Sequence, residues 1–144
     1  PAYKGIPLVS SIAIALSAEG MNVPFCFNRK EAKDHGEGGL IVGSPIHGKV
    51  LIIDDVISAG TSINESNLII TSNGGEPVGV FVAIDRQEKG SIGLTATEEV
   101  TNNLKLPVHS IINLIDIVAY LEQSDDYKTQ LIKIKDFQKT YGVI

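Results

Sequence analysis

The chain has 144 residues, 43% of them hydrophobic and 20% charged, which is typical of one globular domain and too apolar for a disordered chain. Its net charge of −5 excludes a broad nucleic-acid surface, which needs a sustained basic face to displace phosphate counterions. The apolar runs fall far short of the roughly 20 residues a membrane helix needs, and no secretion signal is visible. We therefore expect a single cytoplasmic domain over residues 1–144.

The hydrophobic pattern predicts alternating helices and strands. Helical spacing of apolar residues over 6–19 predicts the first helix, and 23–28 predicts a strand in which Cys26, the only cysteine, is a buried thiol. Residues 29–39 are polar, contain three glycines and predict a mobile loop. The pattern then predicts strands over 49–54, 77–84 and 108–112, and helices over 63–73, 95–104, 114–122 and 126–141.

This alternation predicts an α/β fold with a central, mainly parallel sheet flanked by helices. The continuous apolar run at 49–54 is typical of a strand buried on both faces, so we expect it to lie centrally. Ser62 and Glu65 have the spacing of a capping box and are expected to start the helix that follows. Ligands of such folds collect beyond the carboxyl ends of the strands.

The most informative segment is 50–62, VLIIDDVISAGTS, which places Asp54 and Asp55 at the end of a buried strand. A loop of small residues then leads into a helix N-terminus, where free N–H groups and the helix dipole attract anions. The loop lacks the lysine of the P-loop pattern, which argues against a nucleoside triphosphatase. Acids beside a phosphate cradle predict a phosphorylated sugar, although paired acids also occur in receiver-type folds and such loops can merely cap a helix.

The whole segment 50–62 resembles the signature with which type I phosphoribosyltransferases bind phosphoribosyl pyrophosphate (PRPP). Three further segments are similar to orotate phosphoribosyltransferases: AYKGI at 2–6, NRKEAKDHGEGG at 28–39 and DRQE at 85–88. The resemblance implies the type I phosphoribosyltransferase (Rossmann-like) architecture. It also implies transfer of the phosphoribosyl group from PRPP to orotate, giving orotidine 5-phosphate and pyrophosphate, in pyrimidine (UMP) biosynthesis.

The resemblance also implies roles for individual residues in binding PRPP. Asp54 and Asp55 would hold the ribose hydroxyls, and the loop after them would wrap the 5-phosphate. Magnesium would enter largely on the substrate with many water ligands, so no protein metal ligand is expected. The implied PRPP-binding set is Tyr3, Lys4, Arg29, Lys30, Lys33, His35, Asp54, Asp55, Val56, Ile57, Ser58, Ala59, Gly60, Thr61 and Ser62.

Catalysis in the family involves the basic loop, which closes over the active site of the neighbouring subunit in a homodimer. Lys33 and His35 would neutralise or protonate the departing pyrophosphate, which makes them catalytic together with Asp54 and Asp55. Orotate would contact Ser58 and Arg86, because a guanidinium can donate two parallel hydrogen bonds to a carboxylate. Taken alone, Lys4 and His35 are better explained as solvated surface groups, and the alternative for Arg86 is a surface ion pair with Glu88.

Two departures from the family remain. Ser58 stands where many relatives have threonine, and the family's N-terminal segment, with a lysine and paired aromatics beside orotate, has no counterpart here. Because the chain starts at Pro1, we expect a processed, trimmed or truncated chain. Two alternatives follow: a fragment that binds PRPP without turnover, or a non-catalytic PRPP-sensing regulator of the same fold.

Overall fold

The computed structural model describes residues 1–33, 39–58 and 60–143, and of residues 32 and 33 only the backbone. Helices and strands alternate along most of the chain. A short 3₁₀ turn, Asp125–Tyr127, precedes the last helix. The elements are α1 (Gly5–Ala18), β1 (Cys26–Lys33), β2 (Gly39–Gly43), β3 (Gly48–Val56), α2 (Thr61–Ser72), β4 (Gly75–Asp85), α3 (Ala96–Leu104), β5 (Val108–Asn113), α4 (Leu114–Leu121) and α5 (Lys128–Tyr141).

Three parallel strands form the main sheet in the order β3-β4-β5. In the register, Val56 pairs with Ile84, and Asp85 pairs with Asn113, so the carboxyl ends of all three strands meet at one edge. Helices α2 and α3 contact the sheet and each other. The hydrophobic core lies between the sheet and these helices. It is formed by Ile52, Ile57, Ile63, Ile70, Val80, Val82, Ala96, Val100 and Leu106.

The expected α/β class and all three parallel strands are confirmed, but within the described residues the first one lies at the edge of the main sheet and not centrally. Strand β4 pairs on both sides, whereas β3 pairs only with β4 in the described part of the chain, and Leu51 is 50% exposed. An apolar run indicates that the faces of a strand are covered, here by α1 and α2 except at Leu51, and carries no information about its hydrogen-bonded edges.

The predicted loop over 29–39 is also partly wrong. Strand β1 continues to Lys33 and pairs antiparallel with β2, a strand that the sequence did not predict. The pairs Cys26↔Gly43 and Asn28↔Ile41 satisfy the backbone of both strands, and the register shifts before Lys33 pairs with Gly39. Polar residues conceal the end of β1, because backbone pairing rather than burial forms it, whereas β2 contains the apolar run Leu40, Ile41 and Val42.

The predicted helices are confirmed with boundary shifts of one or two residues. Both α3 and α4 begin with a capping box, in which Thr95 pairs with Glu98 and Asn113 with Asp116. Each box satisfies backbone N–H groups that a helix otherwise leaves unpaired. Within the described residues, no helix combines the length and apolarity that a bilayer span requires.

Candidate active site

Two adjacent carboxylates lie where β3 meets the loop to α2, and they have different partners. Asp54 is only 7% exposed and accepts hydrogen bonds from the Ser62 hydroxyl at 3.0 Å and the backbone N–H of Asp55 at 2.9 Å. Asp55 is more open and accepts a hydrogen bond from Nζ of Lys4 at 2.8 Å. Asp54 therefore ties the strand to α2, while Asp55 faces the start of α1.

The different surroundings shift the pKa values of the two acids in opposite directions. Burial raises the pKa of Asp54, and the hydrogen bonds from Asp55 and Ser62 offset this only in part. Burial also acts to raise the pKa of Asp55, but the hydrogen bond and positive charge of Lys4 outweigh it and the pKa is lowered. Asp55 is thus the more firmly ionised member of the pair.

The predicted capping box of Ser62 and Glu65 is wrong, because the Ser62 hydroxyl donates to Asp54 instead. Helix α2 begins at Thr61, its N-cap is Gly60, and no side-chain cap hydrogen bond is present. Because Ser62 is already inside the helix and its hydroxyl donates to a carboxylate, it does not cap the backbone. Spacing alone could not separate the two uses of one hydroxyl.

The N-termini of α1 and α2 both lie beside β3. Neither helix has a side-chain cap or an acidic residue in its first turn, so the first N–H groups of α2 remain available to an anion, whereas at α1 the N–H of Ile6 donates to the carbonyl oxygen of Tyr3 at 3.3 Å. Gly60 has φ 70°, a left-handed conformation, and a Cβ there would lie 2.8 Å from Cγ2 of Val100. A Cβ on Gly5 would lie 2.8 Å from the carbonyl oxygen of Ile53, so α1 starts in close contact with β3.

Basic side chains lie near these helix ends. Lys4 immediately precedes α1 and is 77% exposed despite its bond to Asp55. Nζ of Lys30, on β1, lies 4.9 Å from the ring centroid of Tyr3, a cation–π contact that brings β1 against the segment before α1. Nη1 of Arg29 donates to the carbonyl oxygen of Gly39 at 3.1 Å. Of these basic side chains, Lys4 contacts the acid pair directly, and Arg29 and Lys30 lie on β1.

Arg86 directly follows β4, the strand adjacent to β3. Its Nη2 lies 3.1 Å from both carboxylate oxygens of Glu88, which is the ion pair that the sequence left open as an alternative. The side chain is 36% exposed, and its Nε is buried without a hydrogen-bond partner among the described residues. The ion pair fixes the guanidinium while part of it stays accessible at the carboxyl edge of the sheet.

The other residues implied in PRPP binding differ in their exposure to solvent. Ser58 and Thr61 are exposed beside the acid pair, and Val56 is half-buried. Ile57 is 3% exposed and belongs to the core, so only its backbone can face a ligand. His35, Ala59 and the side chain of Lys33 lie outside the described residues.

The sequence did not single out one buried charged residue. Glu99 on α3 is buried and accepts hydrogen bonds from the loop that follows Arg86. An acid within a polar helix ordinarily indicates a solvated face, so no pattern in the sequence singled it out. Only the packing of α3 against that loop reveals its environment.

Acids on β3, an uncapped helix start and the 50–62 signature together match a known domain. A family model described as a phosphoribosyl transferase domain matches residues 1–92. The chain is 50% identical over 143 residues to the orotate phosphoribosyltransferase of Thiobacillus denitrificans, covering 99% of this chain and 68% of that protein. It belongs to the orotate phosphoribosyltransferases.

Solved structures agree with this assignment. The orotate phosphoribosyltransferase of Francisella tularensis superposes with a TM-score of 0.79 at 36% identity, over 99% of this chain and 68% of that one. The Mycobacterium tuberculosis orotate phosphoribosyltransferase in complex with PRPP gives a TM-score of 0.63 at 27% identity, over 80% and 60%. The chain thus spans about two thirds of the length of these relatives.

Proposed function

We propose that the protein transfers the phosphoribosyl group of PRPP to orotate, forming orotidine 5-phosphate and releasing pyrophosphate. The observation that carries this proposal is the meeting of Asp54, Asp55 and the uncapped start of α2 at one end of β3. A phosphorylated ribose needs both acceptors for its hydroxyls and N–H donors for its phosphate. Arg86, at the end of the next strand, supplies a donor for the orotate carboxylate.

In this proposal the two acids divide the work on the ribose. Asp55, ionised and exposed beside Lys4, accepts hydrogen bonds from the vicinal hydroxyls. Asp54 contacts the ribose with whatever acceptor capacity Ser62 leaves it and otherwise holds α2 against the strand. The backbone from Ser58 to Ser62 surrounds the 5-phosphate, and Gly60 allows the left-handed turn that this approach requires.

The reaction develops positive charge at the anomeric carbon and negative charge on the leaving pyrophosphate. Lys4, at the start of α1, is placed to attract the pyrophosphate once it exchanges Asp55 for the substrate. Lys33 and His35 would add further positive charge or a proton from the neighbouring subunit of a homodimer. Preorganised charges act most strongly when water is excluded, so closure of their loop belongs to the mechanism.

Magnesium fits this site as a companion of the substrate. In the described ranges, no cluster of three or more His, Cys, Asp or Glu side chains could hold a metal ion, and Asp55 is already paired with Lys4. Magnesium retains several waters and binds through substrate phosphates plus one or two carboxylates, of which Asp55 is the accessible one here. When bound, the ion would neutralise charge on the pyrophosphate.

We further infer a cytoplasmic location and that residues 1–144 are one phosphoribosyltransferase domain.

The test is the loss of orotate ultraviolet absorbance on adding PRPP and magnesium to the intact protein. We expect a PRPP-dependent loss of absorbance with orotate and no reaction with uracil, because Arg86 selects a carboxylate. A variant Asp136→Asn, which changes an exposed acid on α5, serves as the control and should retain full activity. Turnover of uracil but not orotate would remove the orotate assignment and leave the transferase class. PRPP binding without turnover of any base would favour a ligand sensor.

A further inference from the structure

A buried carboxylate on α3 stands out because the proposed chemistry does not use it. Glu99 is 7% exposed and lies beyond residues 1–92, which match the family model. A buried charge is costly unless it is hydrogen-bonded, so the partners of Glu99 indicate what it does.

Both carboxylate oxygens of Glu99 bind the loop between β4 and α3. Oε1 accepts the backbone N–H of Ile92 at 2.6 Å, and Oε2 accepts the hydroxyl of Ser91 at 2.9 Å. The backbone hydrogen bonds from Ile92 and Ser91 lower the pKa of Glu99, so the carboxylate is ionised at neutral pH. An ionised acceptor gives the stronger class of hydrogen bond.

The loop folds closely around this carboxylate. A Cβ on Gly90 would overlap the carboxylate of Glu99, so the contact depends on a residue without a side chain. The N–H of Gly90 donates to the carbonyl of Leu94 at 2.7 Å, which closes the turn. Glu99 therefore lies at the centre of the loop and fixes its path.

The loop in turn connects to Arg86. The carbonyl of Glu88 accepts the N–H of Ala96, the first residue of α3, at 2.9 Å. The side chain of the same Glu88 holds the guanidinium of Arg86 at 3.1 Å. A change in the loop path would therefore move the carboxylate that orients Arg86.

We propose that Glu99 is a positioning residue for the recognition of the second substrate: by holding Ser91 and Ile92 it fixes the loop that orients Arg86 through Glu88. The inference rests on the proposed function, in which Arg86 binds the carboxylate of orotate. Glu99 itself contacts no substrate. Its loss should weaken orotate binding selectively and leave PRPP, which binds at the end of β3, largely unaffected.

Steady-state kinetics of Glu99→Ala in the intact protein test this inference. Loss of the two bonds should raise the KM for orotate about tenfold and leave the KM for PRPP within about twofold. Glu99→Gln keeps an acceptor for the Ile92 N–H and should recover most of the orotate affinity. The matched control is Glu98→Ala, which removes the neighbouring capping acid of the same helix and should lower the unfolding temperature without changing the orotate KM.

Three results would overturn the inference: an unchanged orotate KM in Glu99→Ala, an equal rise for both substrates, or the same orotate defect in Glu98→Ala. Should Glu99→Ala fail to fold, Ser91→Ala removes one bond from an exposed loop position and should raise the orotate KM about threefold. No rise there would overturn it as well.

Hydrogen exchange separates this inference from the proposed function. The Ile92 amide should exchange faster in Glu99→Ala, or in Ser91→Ala, than in the wild type, whether or not orotate is a substrate. Wild-type protein that does not convert orotate would contradict the proposed function and the role of Glu99 in orotate recognition, whereas faster exchange at Ile92 would still show that Glu99 holds the loop. Unaltered exchange at Ile92 would contradict the positioning role alone.

Discussion

The helices that follow strands in this protein begin in two different ways. At α3 and α4 a capping box satisfies the backbone, with Glu98 and Asp116 supplying the carboxylates. At α2 the N-cap is Gly60, no side chain caps the first turn, and the nearby acids lie on β3 instead. The same free N–H groups are used for stability in one region and left open for a ligand in the other.

This difference teaches how a binding site departs from local rules. A capping box contributes about 1 kcal/mol to stability, which α2 forgoes. The acids near α2 lie on β3 and not in the first turn of the helix. In the proposed function they bind a sugar rather than the helix backbone. The comparison predicts that changes near the start of α2 alter activity more than stability, and that changes in the capping boxes of α3 and α4 do the reverse.

The largest effect is expected from Asp55→Asn, which removes the ionised acceptor beside Lys4. We expect kcat/KM for PRPP to fall by about 10²- to 10³-fold while the protein remains folded. Asp116→Asn is the matched change in the capping box of α4 and should lower stability while leaving turnover unchanged. Kinetics and thermal unfolding of Asp55→Asn and Asp116→Asn measure the contrast. Equal kcat/KM values for the two variants would contradict it.

A carboxylate introduced at the open helix start should also separate activity from stability. Thr61→Glu adds a negative charge to the first turn of α2, which favours the helix dipole but repels phosphate. We expect about a 100-fold loss in kcat/KM for PRPP with an unchanged or higher unfolding temperature. Thr129→Glu makes the same change in the first turn of α5 and should preserve activity. An active Thr61→Glu would place the phosphate elsewhere.

A smaller and opposite effect is expected at α3. Thr95→Ala removes the hydroxyl that accepts the N–H of Glu98 at 3.1 Å. Stability should fall by about 1 kcal/mol, with a lower unfolding temperature and unchanged kcat. Denaturant unfolding and the orotate assay check the two halves of this expectation. A loss of activity without a loss of stability would contradict the assignment of this cap to structure.

The smallest effect concerns the pKa of Asp55. Removing the positive charge in Lys4→Ala should raise this pKa from its lowered value and leave that of Asp54 above the ordinary range. Because the folded pKa of Asp55 is lowered, its contribution to stability is present above the ordinary carboxyl range and lost as pH falls through the lowered value. Carboxyl-carbon NMR titration of the wild type and of Lys4→Ala measures the shift, and an unchanged pKa of Asp55 would contradict its pairing with Lys4.

Much of this arrangement could be predicted from the sequence. Buried parallel strands leave continuous apolar runs, and the 50–62 signature located Asp54, Asp55 and the loop to α2. The end of β1 could not be predicted, since backbone pairing forms it from polar residues, whereas the apolar run at 40–42 was a usable signal for β2. The partners of Ser62 and Glu99 also depend on contacts between distant elements, which no local spacing records.

The most direct test of the open helix start is a backbone NMR titration with PRPP and magnesium. We predict saturable shifts of the amides of Gly60, Thr61 and Ser62, with only small changes at the capped starts of α3 and α4. Shifts at the capped helices instead, or none at the start of α2, would contradict the account.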